Sequence, residues 1–145
     1  MKNMRVKRMN KYTVWTLISL LVGFSLMGCV NNPAKEADDF NLQAKTYGKL
    51  IRWRAFDDAS QYNQPREGEL PKPDMKFLDE IKVTKYEIKS LIISEEGDEA
   101  VVIAEITYYH ERVNDVKTIE DQQVWWKNEE TGQWLVDGGL PKFDP

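Results

Sequence analysis

Residues 99–113, Glu-Ala-Val-Val-Ile-Ala-Glu-Ile-Thr-Tyr-Tyr-His-Glu-Arg-Val, decide the fold. Two sets of side chains alternate along them. Ala100, Val102, Ala104, Ile106, Tyr108 and His110 fall on one face of an extended strand, and Val101, Ile103, Glu105, Thr107, Tyr109 and Glu111 fall on the other. The first set is the more apolar and is expected to face a covering layer. Upstream, Ile81 to Ser94 is also strand-like, but its alternation changes phase: Ile81 and Val83 share a face, then Tyr86 and Ile88, then Leu91 and Ile93. A one-residue slip turns over every later side chain, so this pattern predicts one or two bulges in a long curved strand. Glu96-Gly97-Asp98 makes the turn between the two. Downstream, Asn114-Asp115 reads as a tight hairpin turn, Val116 to Lys127 as a third strand, Asn128 to Gly132 as a turn and Gln133 to Asp137 as a fourth strand. Gly138-Gly139 ends it, and Leu140 to Pro145 follow as a tail.

The cover for this sheet precedes it. From Glu36 to Tyr62, the residues Ala37, Phe40, Ala44, Tyr47, Ile51, Ala55, Ala59 and Tyr62 recur at spacings of three and four, and Leu50, Trp53 and Phe56 add a second stripe. Glu36, Asp38 and Asp39 sit in the first turn, where the macrodipole favours negative charge. A helix of this length is expected to bend or break, with Gly48 a candidate site. Asn63 to Asp74 holds Pro65, Gly68, Pro71 and Pro73 and reads as a crossing loop. Met75 to Leu78 is either a turn of helix or the lip of the first strand. The expected architecture is α+β: a long N-terminal helix packed on a curved four-stranded antiparallel sheet, as one domain over residues 36–145.

Residues 1–28 differ from the rest. Lys2, Arg5, Lys7, Arg8 and Lys11 form a cationic start without an acidic residue, and an apolar run from about Val14 ends at Gly28 and the chain's one cysteine, Cys29. That is the build of a secretory signal. The alternatives are an uncleaved anchor and plain secretion. The apolar run, interrupted by Thr16, Ser19 and Ser25, is shorter than the roughly 20 residues that span a bilayer. An unpaired thiol is a liability in an oxidising compartment unless it is consumed chemically. Leu26-Met27-Gly28-Cys29 resembles the lipobox of bacterial lipoprotein precursors. The resemblance implies removal of residues 1–28, acylation of Cys29, a lipidated tether over residues 29–35, and a membrane as partner through that lipid. It places the protein in the cell envelope. Val30, where an aspartate would resemble an inner-membrane retention signal, implies the outer membrane facing the periplasm in a cell with two membranes.

Cleavage would shift the charge balance. The chain has 20 basic and 24 acidic residues, and five of the basic ones lie in residues 1–28, which leaves 15 against 24, a net of −9. An acidic surface without a basic stripe disfavours nucleic acid and anionic headgroups. His110 is the single histidine, so no His/Cys set has ligand spacing, and Asp57-Asp58 and the acidic run Glu95 to Glu99 lack the spacing of a calcium loop. Neither a metal nor a cofactor is expected.

The order of helix and strands, the segment Ile81 to Ile88, Ala100-Val101-Val102, Trp125, and Gly132-Gln133-Trp134 together resemble the NTF2-like, cystatin-like α+β superfamily over residues 36–140. The resemblance implies a sheet curved around a helix with a conical pocket between them, and in many members dimerisation through the sheet. Enzymes of that superfamily use Asp or His with Tyr in the pocket. If Val113 pairs with Val116, Tyr108 faces Asp121 and Asp121 lies diagonally from His110, which makes Tyr108, His110 and Asp121 the acid/base set to test. The plain alternative for His110 is a solvated position beside a turn. Trp125 and Trp126 must point to opposite faces of their strand. One meets the helix, and the other lies under another segment or stands exposed beside Tyr109 as an anchor for a protein partner or a second copy. The favoured expectation is a non-enzymatic, membrane-anchored lipoprotein that binds a protein partner. A small-ligand binder using the pocket between helix and sheet is the second reading, and an acid/base enzyme the third.

Overall fold

The computed structural model describes residues 33–144, and the expectations for the leader, the lipobox and Cys29 lie outside the described residues. The described chain runs α1 (Pro33–Arg52), α2 (Phe56–Ser60), α3 (Met75–Asp79), β1 (Ile81–Ile93), β2 (Glu99–His110), β3 (Val116–Lys127) and β4 (Trp134–Val136). The strands form one antiparallel sheet in sequence order, an open α+β arrangement. No helix among the described residues is long and apolar enough to cross a membrane.

The alternating set on β2 does what its polarity demands. Ala100, Val102, Ala104, Ile106, Tyr108 and His110 are all buried, and the other face is not. β1 follows through two register shifts, at Thr84 and at Lys89, after which Tyr86, Ile88, Leu91 and Ile93 return to the same side as Ile81 and Val83. Each bulge adds one residue to β1 and turns the strand, which is how a sequence with broken alternation still keeps one apolar face.

The covering helix differs from the expectation. Instead of a single helix of about 27 residues from Glu36, α1 is a 20-residue helix that starts at Pro33, inside the stretch read as tether. It ends at Arg52 and is closed off by Arg54, not broken at Gly48. Arg54 adopts a left-handed φ of 61°, its N–H donates to Ile51 O, and the Ala55 N–H reaches back to Leu50 O at 2.9 Å. That pair of bonds is a Schellman closure, most often built on glycine, and an arginine gives no sequence signal for it. Gly48 has a different reason: a Cβ there would lie 2.5 Å from the Tyr86 ring, so glycine lets α1 press onto β1. After the break α2 resumes the apolar stripe with Phe56 and Ala59, both buried. Met75 to Leu78 is helical, capped by Asp74, whose side chain accepts from the Phe77 N–H at 3.1 Å.

The core lies between α1 and the inner sheet face. Phe40 stacks between Trp125 and Trp134, and Tyr47 meets Trp125 edge-on at 5.4 Å. β4 is the short edge, and residues 62–64 line it: Val136 N–H donates to Tyr62 O and Gln64 N–H to Val136 O. Phe143 closes the far end against Phe56 and Tyr108.

The hairpin between β2 and β3 corrects the expected register. The ladder ends at Tyr109 opposite Val116, not at Val113 opposite Val116. Residues 110–115 form a wider turn in which the N–H groups of both Val113 and Asn114 donate to His110 O, with Asn114 at a φ of 56°. The shift puts Asp121 opposite Ala104 and Lys117 opposite Tyr108.

Candidate functional site

Asp121, Gln123 and Trp125 occupy successive inward positions on β3, because side chains two apart share a face. Inside an apolar layer, polar groups need partners, and these three supply them to one another. Gln123 is buried; its amide nitrogen donates to Asp121 Oδ2 at 2.6 Å and to the Tyr86 hydroxyl at 2.9 Å, and its amide oxygen accepts from Trp125 Nε1 at 3.1 Å. The glutamine is the hub of this chain. Tyr47, from α1, brings a buried hydroxyl that has no hydrogen-bond partner among the described residues.

Electrostatics follow from burial. Burial pushes the Asp121 carboxyl above its ordinary range, and the bond from Gln123 opposes that only in part. The Tyr47 phenol is held well above its usual range by burial, then by the charges of Asp121 and Tyr86. Tyr86 is raised by the same burial, against the bond from Gln123.

Asp121 and Gln123 also line a pocket of about 860 Å³, within the size range of small-molecule sites. Its walls are the inner edge of β3, the proline-rich segment 70–74, α3 through Phe77 and Leu78, and residues 137–143. The last wall is pinned by Tyr108, whose hydroxyl accepts from Asp144 N–H at 2.9 Å and stacks edge-on against Phe143. The pocket therefore combines apolar residues, Leu70, Phe77, Leu78, Ile119 and Phe143 among them, with four carboxylates, Asp74, Glu120, Asp121 and Asp137, of which Asp121 is the one tied to the Gln123 hub.

The acid/base set expected from the sequence is not assembled. Asp121 stands in the pocket opposite Ala104, Tyr108 is engaged with Asp144, and His110 is the last residue of β2, six positions beyond Ala104. Nor is His110 a solvated turn residue. It is buried under Phe77 at 5.6 Å, its Nδ1 accepts from the Arg112 N–H at 3.2 Å, and its Nε2 meets Glu80 Oε2 at 3.0 Å. With Nδ1 occupied as an acceptor, the ring proton sits on Nε2 and points at Glu80, so the histidine ties α3 to the end of the sheet. The error was one of register: the wide turn moves each strand by two residues against the tight hairpin assumed.

The tryptophan pair divides as the strand geometry requires. Trp125 faces the helix, fully buried. Trp126 points to the outer face and lies under the segment after α2, donating from Nε1 to Gln64 O at 3.0 Å. Tyr109 is half-buried on that outer face, between Lys82 and the exposed Val116. Two further features of the outer face were not read from the sequence. Lys85, Glu87, Lys89 and Glu105 form a closed grid of ion pairs at 2.6 to 3.3 Å. Beyond it Ile92, Val101 and Val124 form an apolar row across three strands, with Ile92 65% exposed. The most exposed tryptophan of the described residues is neither of the pair but Trp53, 76% exposed after α1. Gln123, Tyr86 and Tyr47 were likewise missed. The signal was present in part, since an inward Trp125 forces Gln123 and Asp121 inward as well.

The chain matches no family model, no curated protein and no solved structure.

Proposed function

We propose that the protein is a lipid-anchored lipoprotein of the cell envelope, with Cys29 acylated and an NTF2-like, cystatin-like domain that binds a small ligand without transforming it. In a cell with two membranes it sits on the outer membrane, facing the periplasm. The observation that carries ligand binding is the pocket of about 860 Å³ with Asp121 at its floor. One oxygen of that carboxylate takes the Gln123 amide, which leaves the other for a bound molecule. The recognised ligand has an apolar body and hydrogen-bond donor or ammonium groups, since those parts match the apolar residues and the carboxylates of the lining. Native mass spectrometry of the detergent-purified full chain tests this. A ligand-sized adduct lost in Ile119→Trp, which fills the pocket, supports the reading; a bare wild-type mass, with no thermal shift on titration with hydrophobic amines, overturns it.

A second reading, binding of a protein partner or a second copy through the outer sheet face, rests on the row of exposed Ile92 and half-buried Val101 and Val124. Its expected mark is a crosslinked complex or dimer that Ile92→Lys removes without lowering Tm. Loss of nothing but monomer in both chains would end it.

A further inference from the structure

Charge averaged over the chain hides one local exception. On α1 the buried side chains are Phe40, Ala44, Tyr47 and Ile51, so the opposite side of the helix is set by the period. Leu42, Lys45 and Lys49 follow one another there at steps of three and four, and Arg52 and Trp53 lie three and four residues beyond Lys49, all exposed. Leu42 is 65% exposed, and Trp53 continues the helical spiral because its N–H still donates to Lys49 O at 2.9 Å. The Arg52 guanidinium lies 5.8 Å from the centre of the Trp53 ring, and Arg54 is the next residue. Lys45 and Lys49 thus lie between an exposed leucine and an exposed tryptophan, with Arg52 and Arg54 beside them, each also donating from Nη1 to the protein, to Val83 O at 2.6 Å and to Asp79 O at 3.4 Å, in a chain whose residues 29–145 carry a net of −9. The acidic groups of this side, Asp38 and Asp39, lie at the other end of the helix, and Asp57 and Asp58 lie beyond Trp53 on α2. A basic stripe therefore exists, contrary to the expectation from composition.

We propose that this face of α1 lies on the surface of an anionic bilayer, with Trp53 seated at the level of the headgroups. The inference rests on the reading of Cys29 as the lipid anchor. Charge complementarity names the occupant. Phosphate-bearing lipid attracts Lys45, Lys49, Arg52 and Arg54, while the acidic remainder of the surface is repelled and turned away. Tryptophan prefers the membrane interface, where its ring is half in hydrocarbon and its N–H is hydrated. Continuity with the anchor adds to this: four residues lead from Cys29 to Pro33, a covalent reach of about 14 Å at most. A helix of 20 residues, about 30 Å long, that begins so near a bilayer either stands up or lies down. The stripe selects the second. Asp38 lies on the same stripe one turn before Leu42, so the helix rests with its Trp53 end in contact and its Asp38 end tilted away from the headgroups. The functional consequence is orientation: the domain is held at a fixed side to the membrane and does not swing on its tether.

The test uses the full chain processed by its host, purified from membranes and reconstituted in vesicles of phosphatidylcholine with or without phosphatidylglycerol, both with brominated acyl chains. Bromine quenches tryptophan only on contact depth. Trp125 and Trp134 are buried and Trp126 is bonded to the protein, so the difference between wild type and Trp53→Phe isolates Trp53. The expected result is quenching of that component in phosphatidylglycerol vesicles. The pair Lys45→Glu with Lys49→Glu lowers the ratio of contacting to free Trp53 by about tenfold or more. Intact mass is read on the same sample. A Cys29 without acyl chains removes the anchor reading, and this inference with it. An acylated protein that floats with the vesicles while Trp53 stays unquenched, and as open to iodide as in detergent, overturns the inference alone. Shielding of Trp53 only in native membranes, not in protein-free vesicles, assigns the face to a protein and also overturns it.

Discussion

The two faces of the sheet are built from the same three strands and treat charge in opposite ways. On the inner face of β3 an aspartate is half-buried, and its carboxyl is pushed up because desolvation outweighs the single amide that meets it. On the outer face of β1 a glutamate stands in water between Lys85 and Lys89, and those two cations hold it down to about 2. The aspartate has been given a cavity, a buried hub and few partners; the glutamate has partners and no burial. Stabilising arrangements satisfy their charges, and the inner site leaves one incompletely satisfied. Such a group beside a cavity is what supports the proposal that a ligand binds there.

The largest difference between the faces concerns the adjacent tryptophans. Trp125→Ala removes a ring packed against Phe40, Tyr47 and Tyr62, and also the partner of Gln123, so a loss of about 3 to 5 kcal/mol in denaturant unfolding is expected. Trp126→Ala removes one hydrogen bond and partial cover, for about 1 kcal/mol. Equal losses would mean that the outer face carries as much of the core as the inner one and would break the comparison.

Next comes the contact between helix and sheet. Gly48→Ala improves helix propensity by about 1 kcal/mol, yet its methyl group meets the Tyr86 ring at 2.5 to 2.7 Å. Because Tyr86 is held by Gln123, the ring cannot yield freely. A net loss of about 1 to 3 kcal/mol is expected from thermal unfolding. A gain would show that Tyr86 is loose and that the inner polar chain does not fix the pocket floor.

Much of this could be read before the structure. The alternation on β2, the two phase changes on β1 and the split of Trp125 from Trp126 follow from period alone, and period is local. What could not be read depends on single backbone choices. Arg54 in a left-handed conformation ends α1 where no glycine marks it, and Asn114 opens a turn that the Asn-Asp pair suggested was tight. The second choice moved Asp121 away from Tyr108 and His110 and so dissolved the expected acid/base set. The partnership of Gln123 with Tyr86 and the approach of Tyr47 needed tertiary placement from three elements. The basic stripe on α1 was within reach of the helical period, but net charge concealed it.

The inner carboxylate has a pH signature. Its folded pKa is raised, so between the ordinary aspartate range and that higher value the folded state binds more protons than the unfolded one, and stability falls as pH rises. Asp121→Asn removes this slope. The expected result is a higher Tm at pH 7 that merges with wild type as pH drops below the ordinary aspartate range, measured by a pH series of melts. The same variant weakens any ammonium ligand of the pocket, so stability gained and binding lost in one substitution is the combined signature of a binding group. A lower Tm at pH 7 would make Asp121 a structural residue.

The smallest effect belongs to Glu87, and its sign is opposite. The folded pKa of about 2 is depressed by Lys85 first and Lys89 second, so its contribution is present above the ordinary glutamate range and is lost as pH falls toward 2. Glu87→Gln therefore flattens the acid limb of the stability profile, where Asp121→Asn removes the fall that begins above the ordinary aspartate range. The carboxylate is open to solvent, so salt screens its pairs, and the difference from wild type is expected to shrink between 50 mM and 0.5 M sodium chloride. The Asp121→Asn effect, shielded within the fold, should keep its size over the same range. Salt sensitivity in both would place Asp121 in contact with bulk water, and the contrast between a satisfied outer charge and a waiting inner one would vanish.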